Sequence, residues 1–129
     1  MDFIEGKGVV ALARPGVVSR QLIWPRNAPD ARSTVTEVHV EPHGVQPRHA
    51  HEASEQIWYA LAGSGLLLLA DDRERAFVAG DVCRIAPGEV HGLAAGDQGF
   101  TYLSVTCPPI DFRGSYDGEG QAAGTAPRA

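Results

Sequence analysis

Cysteine is scarce in this chain: Cys83 and Cys107 are the only two among 129 residues. Two cysteines cannot staple a scaffold of this length. A disulfide-built fold is excluded, and a reducing, cytoplasmic setting is the expectation. Long apolar runs are also missing. Leu66 to Ala70 has strand length and falls far short of the ~20 residues needed to cross a bilayer. The start, MDFIEGKG, has neither a basic stretch nor an apolar core, so no signal peptide is expected. Basic residues number 11 against 16 acidic ones, for a net charge of −5. Nucleic acid and anionic membrane both call for a basic face, so neither is expected as a partner. Finally, no long window carries the 3.6-residue period of an amphipathic helix.

What is present is punctuation. The chain has 15 glycines and 9 prolines, spread out rather than blocked together. Between them lie short runs rich in Val, Ile, Leu, Thr and aromatics. These predict strands near Val9–Ala13, Arg20–Trp24, Thr34–Glu41, Glu55–Leu61, Gly65–Ala70, Arg75–Val78, Asp81–Ile85 and Gly99–Thr106. Turn signals separate them, among them Gly63-Ser-Gly, Ala86-Pro-Gly and Ala95-Gly-Asp. Thr34 to Glu41 alternates, with Val35, Glu37, His39 and Glu41 on one side and Thr36, Val38 and Val40 on the other. A short helical turn between Gln46 and Ser54 is compatible with the pattern. Many short strands in one domain's length of chain point to an all-β sandwich or barrel. The expected layout is an N-terminal extension over 1–8, a barrel over 9–113, and a flexible Gly/Ala-rich tail over 114–129. Cys83 and Cys107 are expected as small buried hydrophobes.

The chain has five histidines: His39, His43, His49, His51 and His91. His49 and His51 form a His-x-His pair. On an extended strand such residues share a face about 6.5–7 Å apart. Two imidazoles so placed can converge on one ion at ~2.0–2.2 Å. The remaining ligands must come from elsewhere in the fold.

Two stretches together resemble the cupin superfamily. The first is Gly44-Val-Gln-Pro-Arg-His49-Ala-His51-Glu-Ala-Ser-Glu55-Gln56-Ile-Trp-Tyr59-Ala-Leu61-Ala-Gly63. The second is Gly80-Asp-Val-Cys-Arg-Ile-Ala86-Pro87-Gly88-Glu-Val-His91-Gly. The resemblance runs from about residue 34 to 107 and implies a double-stranded β-helix, or jelly-roll barrel. This sequence departs from the pattern in three places. Gly44 stands one residue closer to His49 than usual, and Ala86 replaces a proline. The family's carboxylate slot, counted back from Gly63, holds Gln56. Counting forward from His51 allows either Glu55 or Gln56, and neighbours on one strand cannot both face inward. The implied ligands are His49, His51, Gln56 and His91, with Glu55 as the alternative to Gln56. They would hold one divalent transition metal per chain: zinc, iron, nickel or manganese.

Neutral donors would leave the ion its full charge and favour anionic oxygen ligands. The resemblance therefore implies a small metal-binding cupin, an enzyme using Lewis acidity on a small oxygen-rich substrate: a carboxylate, enol, sugar-like or polyketide-like compound. Isomerase, cyclase, lyase and dioxygenase chemistries all fit. A cupin that binds a sugar or acid without turning it over is the alternative. Trp58, Phe100 and Tyr102 are candidates to hold the small-molecule ligand, Arg84 to pair with its carboxylate, and His39 to act as general base if it shares the inward face. Arg48 is expected to point away from the His face. Ile57, Tyr59 and Leu61 would form an outward apolar stripe, which with the resemblance implies a homodimer.

Overall fold

The computed structural model describes residues 1–116 and, in backbone only, 118–121. Within them nine strands form one antiparallel network. They are β1 (Val10–Arg14), β2 (Val17–Ile23), β3 (Thr34–Val40), β4 (Val45–His49), β5 (Glu55–Leu69), β6 (Glu74–Val78), β7 (Val82–Ile85), β8 (His91–Cys107) and β9 (Gly118–Gln121). The hydrogen-bonded order is β6-β5-β8-β3-β2-β1-β9, with β4 on β8 and β7 on β5.

Two long strands make this a two-layered jelly roll. The first half of β5 pairs with β7 and with the last part of β8. Its second half pairs with β6 and with the first part of β8. Both strands thus pass from one layer into the other. The crossing is at Gly63 and Gly99, both in the left-handed region (φ +85° and +75°). A Cβ at Gly63 would stand 2.1 Å from the Gly99 carbonyl oxygen, so the close backbone approach there admits glycine alone. The pairing register also slips between Ala60 and Ala62 and between Gly63 and Gly65, as bulges at a bend do.

The Gly63-Ser-Gly and Ala95-Gly-Asp signals are therefore bends inside long strands rather than turns between short ones. Glu55–Leu61 and Gly65–Ala70 are one strand, and the strand expected at Gly99 begins at His91. The stretch near Gln46 forms strand β4, not a helical turn. The tail expected from 114 is paired at Gly118–Gln121, against β1. Positions 117 and 122–129 of that tail lie outside the described residues.

Strand alternation sorts the side chains. Val38, Val40, Trp58, Ala60, Leu67, Phe77, Ile85, Leu93, Phe100 and Tyr102 face inward as the core. The intervening residues face out. There Arg20 Nη1 meets Glu37 Oε1 at 2.8 Å, both nearly buried, beside the N-terminal segment, where Ile4 packs against Val9 and Ala11. Cys83 is half-buried against the core, but Cys107 is exposed, because it ends β8 on its outward face. The expectation of two buried thiols holds for neither in full.

Candidate metal centre

Three histidines from two separated stretches meet. One nitrogen each of His49, His51 and His91 lies within 4.8 Å of the others. The ring centroids of His49 and His91 are 4.3 Å apart, and those of His49 and His51 5.0 Å. The cause is strand pairing: His49, at the end of β4, sits directly opposite His91, at the start of β8. Gly92 permits this contact, since a Cβ there would stand 2.6 Å from the Gln46 carbonyl oxygen. His51 follows in the loop between β4 and β5, where its carbonyl accepts from the Gly88 N–H at 2.8 Å. That bond ties the two histidine stretches together.

The backbone sets the tautomers. His49 Nδ1 lies 2.8 Å from the Pro47 carbonyl oxygen, and His91 Nδ1 lies 2.8 Å from that of Glu89. A carbonyl oxygen only accepts, so each Nδ1 carries the proton and each Nε2 keeps its lone pair. Oriented imidazoles of this kind are what a metal needs. Burial pushes His91 down to about 4, against the opposing pull of its bond to the Glu89 carbonyl. Burial, with His49 beside it, lowers His51 as well. Both rings are thus neutral near pH 7.

His49 and His51 open onto a cavity of about 420 Å³, with His91 packed behind them, and Gln56, Trp58, Tyr102, Ser104, Thr36, Ser19, Gln46, Phe112, Tyr116 and Arg14 also line it. Gln56 is buried with its Nε2 donating to Thr106 Oγ1 at 2.9 Å, which turns Oε1 away as a free acceptor. Gln56 Oε1 and His91 Nε2 are both buried without a hydrogen-bond partner. Unpaired buried polar atoms cost free energy unless something occupies the space before them. A buried lone pair on His91, grouped with His49 and His51, and another on Gln56, which shares their cavity, fit a divalent cation.

The other candidates are placed as follows. Glu55 faces the opposite side of β5 and pairs with Arg84 Nη2 at 2.7 Å, so both are on the outer surface and neither reaches the cavity. The cause is β-alternation: Glu55 and Arg84 flank inward Gln56 and Ile85. His39 also faces outward, between inward Val38 and Val40, with Nδ1 2.9 Å from Thr101 Oγ1. His43 sits in the exposed turn before β4 at φ +61°. Trp58 and Tyr102 line the cavity, stacked 4.3 Å apart. Phe100 packs on Phe77 within the core and does not line it. Arg48 is exposed but is also among the residues that line the cavity, its Nε donating to the Leu69 carbonyl at 2.7 Å.

Arg14, Ser19, Gln46, Ser104, Phe112 and Tyr116 are cavity residues that the sequence reading missed. Ser19 and Ser104 carry a weak signal, as inward positions of alternating strands. Arg14 reads as the flank of the Arg14-Pro-Gly turn, and Phe112 and Tyr116 lie past the last motif. No local pattern marks them.

The class this defines is a jelly-roll barrel with three histidines, grouped at an internal cavity, that could hold a metal ion. The match to a family model is more specific: the cupin domain model covers residues 36–106, more than half of the chain, and the chain belongs to that family. Among solved structures, it is similar to KdgF from Halomonas sp., with a TM-score of 0.71 at 22% identity over 86% of this chain and 97% of that one. It is similar to the polyketide cyclase RemF from Streptomyces resistomycificus, with a TM-score of 0.70 at 26% identity over 95% and 85%. It also resembles ectoine synthase from P. lautus, with a TM-score of 0.71 at 14% identity over 92% and 83%. No curated protein matches the chain in sequence.

Proposed function

We propose that this cupin is a metal-dependent enzyme that acts on a small, oxygen-rich, anionic substrate. The observation that carries the reading is the pair of buried, unpartnered lone-pair donors: Gln56 Oε1, on the wall of the cavity that His49 and His51 also line, and His91 Nε2, whose ring is grouped with those two histidines. His49, His51, His91 and Gln56 would hold one divalent transition ion, with Glu55 out of reach. Such an ion, when bound, supplies Lewis acidity toward a ligand oxygen. All four donors are neutral, and among the described residues no Asp or Glu lines the cavity to cancel positive charge. The site therefore favours an anion.

The chain's own residues supply the rest. Trp58, Phe112 and Tyr102 give flat apolar walls against which a small ligand desolvates. The Tyr102 hydroxyl donates to Gln46 Oε1 at 2.7 Å, and burial raises its pKa well above the ordinary range. It stays protonated, with its one proton committed to Gln46, and can accept from a ligand O–H rather than abstract a proton. With His39 on the outer face, no cavity side chain beyond the ligands is an evident base among the described residues. That observation favours the second reading, a cupin that binds a small acid or sugar without turning it over. The enzyme reading draws its support from the polyketide cyclase and ectoine synthase among the structural neighbours.

Elemental analysis of protein purified without chelator tests the shared core of both readings. Close to one transition metal per chain is expected in the wild type, and background levels in His91→Ala. Metal far below one per chain in the wild type overturns it. We further propose a homodimer, since Ile57, Tyr59, Leu61 and Val82 are exposed together on the outer face of β5 and β7. Sedimentation at micromolar concentration should give the dimer mass, and Tyr59→Glu should shift it toward the monomer. The unpaired Cys83 and Cys107 support a cytoplasmic setting.

A further inference from the structure

Opposite in character to the histidines, the cavity wall contributed by β1 and the 112–116 segment carries a cation. Arg14, the last residue of β1, lines the cavity with its guanidinium stacked over the Tyr116 ring, 5.4 Å from Cζ to the ring centroid. Stacking uses the face of the guanidinium and leaves the N–H edge for a planar acceptor. No carboxylate lies within ion-pair distance of Arg14 among the described side chains. Arg20, which is buried, has such a partner in Glu37, whereas half-buried Arg14 has none among the described side chains.

The floor between is also unfinished. Thr36, Ser104 and Trp58 stand side by side on β3, β8 and β5, all facing the cavity. Ser104 Oγ and Trp58 Nε1 are buried, with residue exposures of 3% and 2%, and neither has a hydrogen-bond partner. The indole N–H is a donor only, so what completes this spot is an acceptor oxygen. Pairs of unmet polar groups at a cavity floor select ligands that meet them.

We infer that Arg14 is the carboxylate-binding residue of the cavity, and that the ligand is a small hydroxy or keto acid whose skeletal oxygen is held by Ser104 and Trp58. One guanidinium edge matches the two oxygens of a carboxylate, whereas a phosphate dianion would call for a second cation, and the other arginine of the cavity, Arg48, is exposed with its Nε and Nη2 already donating to the Leu69 and Arg73 carbonyls. Arg14 thus replaces Arg84 as the residue for that role. The inference rests on the proposed ligand-binding cavity and adds a class and an orientation to it.

The test uses mandelate, mandelamide and phenylacetate as probes, with binding read by ligand-observed NMR on metal-loaded and on chelator-treated protein. Mandelamide lacks only the charge, and phenylacetate lacks only the hydroxyl. Mandelate is expected to bind roughly tenfold or more tightly than mandelamide in both preparations, since a charge-assisted pair is at stake. Arg14→Gln should erase that preference, while Arg14→Lys retains part of it. Ser104→Ala should narrow the gap between mandelate and phenylacetate and leave the amide comparison alone. Thermal melts confirm that each variant is folded; if Arg14→Gln is not, Arg14→Lys and Ser104→Ala carry the test. A carboxylate preference absent from the wild type, or unchanged in Arg14→Gln, overturns the inference even if metal is bound. A preference that vanishes on chelation overturns it too, because the carboxylate then sits at the metal. If no metal is found but the preference persists and depends on Arg14, the metal reading fails and this inference stands.

Discussion

Two halves of one barrel interior, made by the same strands, meet their polar groups in opposite ways. Around Phe77 and Phe100, 5.4 Å apart, the interior is closed with apolar side chains, among them Val40, Leu93 and Ala95. Around His91 and Gln56, it leaves four buried polar atoms without partners: His91 Nε2, Gln56 Oε1, Trp58 Nε1 and Ser104 Oγ. The first half gains free energy from burial and packing, and the second gives some back. A protein that tolerates unpaired groups in one place while closing the other marks where a ligand goes.

Cutting into the closed half should give the largest effect on folding. Phe100→Ala removes a side chain that is 1% exposed and should cost about 3–5 kcal/mol in urea unfolding. Metal bound per folded chain should be unchanged. A loss of metal in the still-folded variant would show that the two halves are not separable.

The open half should respond to acid instead. His91 ionises near 6.5 when unfolded and at about 4 in the fold, chiefly through burial. The unfolded chain therefore binds more protons between these values. Stability of the metal-free protein is full above pH 6.5 and falls as pH drops from 6.5 toward 4. The loss should be about 2 kcal/mol, discounted from the full shift because the ring borders an open cavity. His51 shifts in the same direction and adds to it. In His91→Ala this slope should shrink; an undiminished slope would assign it to other groups.

The smallest effect sharpens the contrast across a single strand. Glu55→Gln breaks an exposed pair with Arg84 and should cost less than about 1 kcal/mol with metal content intact. Gln56→Leu, one residue on, should lower metal affinity without a comparable loss of stability, since it also removes an unpaired buried oxygen. Loss of metal in Glu55→Gln rather than Gln56→Leu would reverse the assignment of the two neighbours.

Much of this contrast was legible in the sequence. The alternation of Thr36, Val38 and Val40 against Val35, Glu37 and His39 separates the two faces of β3 correctly, because strand periodicity is local. The same periodicity separates Gln56 from Glu55 once the register is known. Where the reading went astray, the cause was non-local. Glycine at 63 signals a turn, but here it lets two backbones cross within one long strand. His39 is a base candidate in the sequence alone, because which face is inward depends on what β3 packs against. Arg84 lies inside a motif and still points out, while Arg14 lies outside every motif and lines the cavity.

From composition, punctuation and two histidine-bearing stretches, the chain alone determined an all-β barrel and which imidazoles to watch. Those features are set by neighbours two to six residues apart, within reach of strand geometry. Only the folded arrangement decided that His49 pairs across to His91, that Gln56 Oε1 is left without a partner, and that Arg14 stands in the cavity with no carboxylate in ion-pair reach among the described side chains. Each of these is a relation between segments far apart along the chain. Such relations are set by sheet register and closure, which no local pattern encodes.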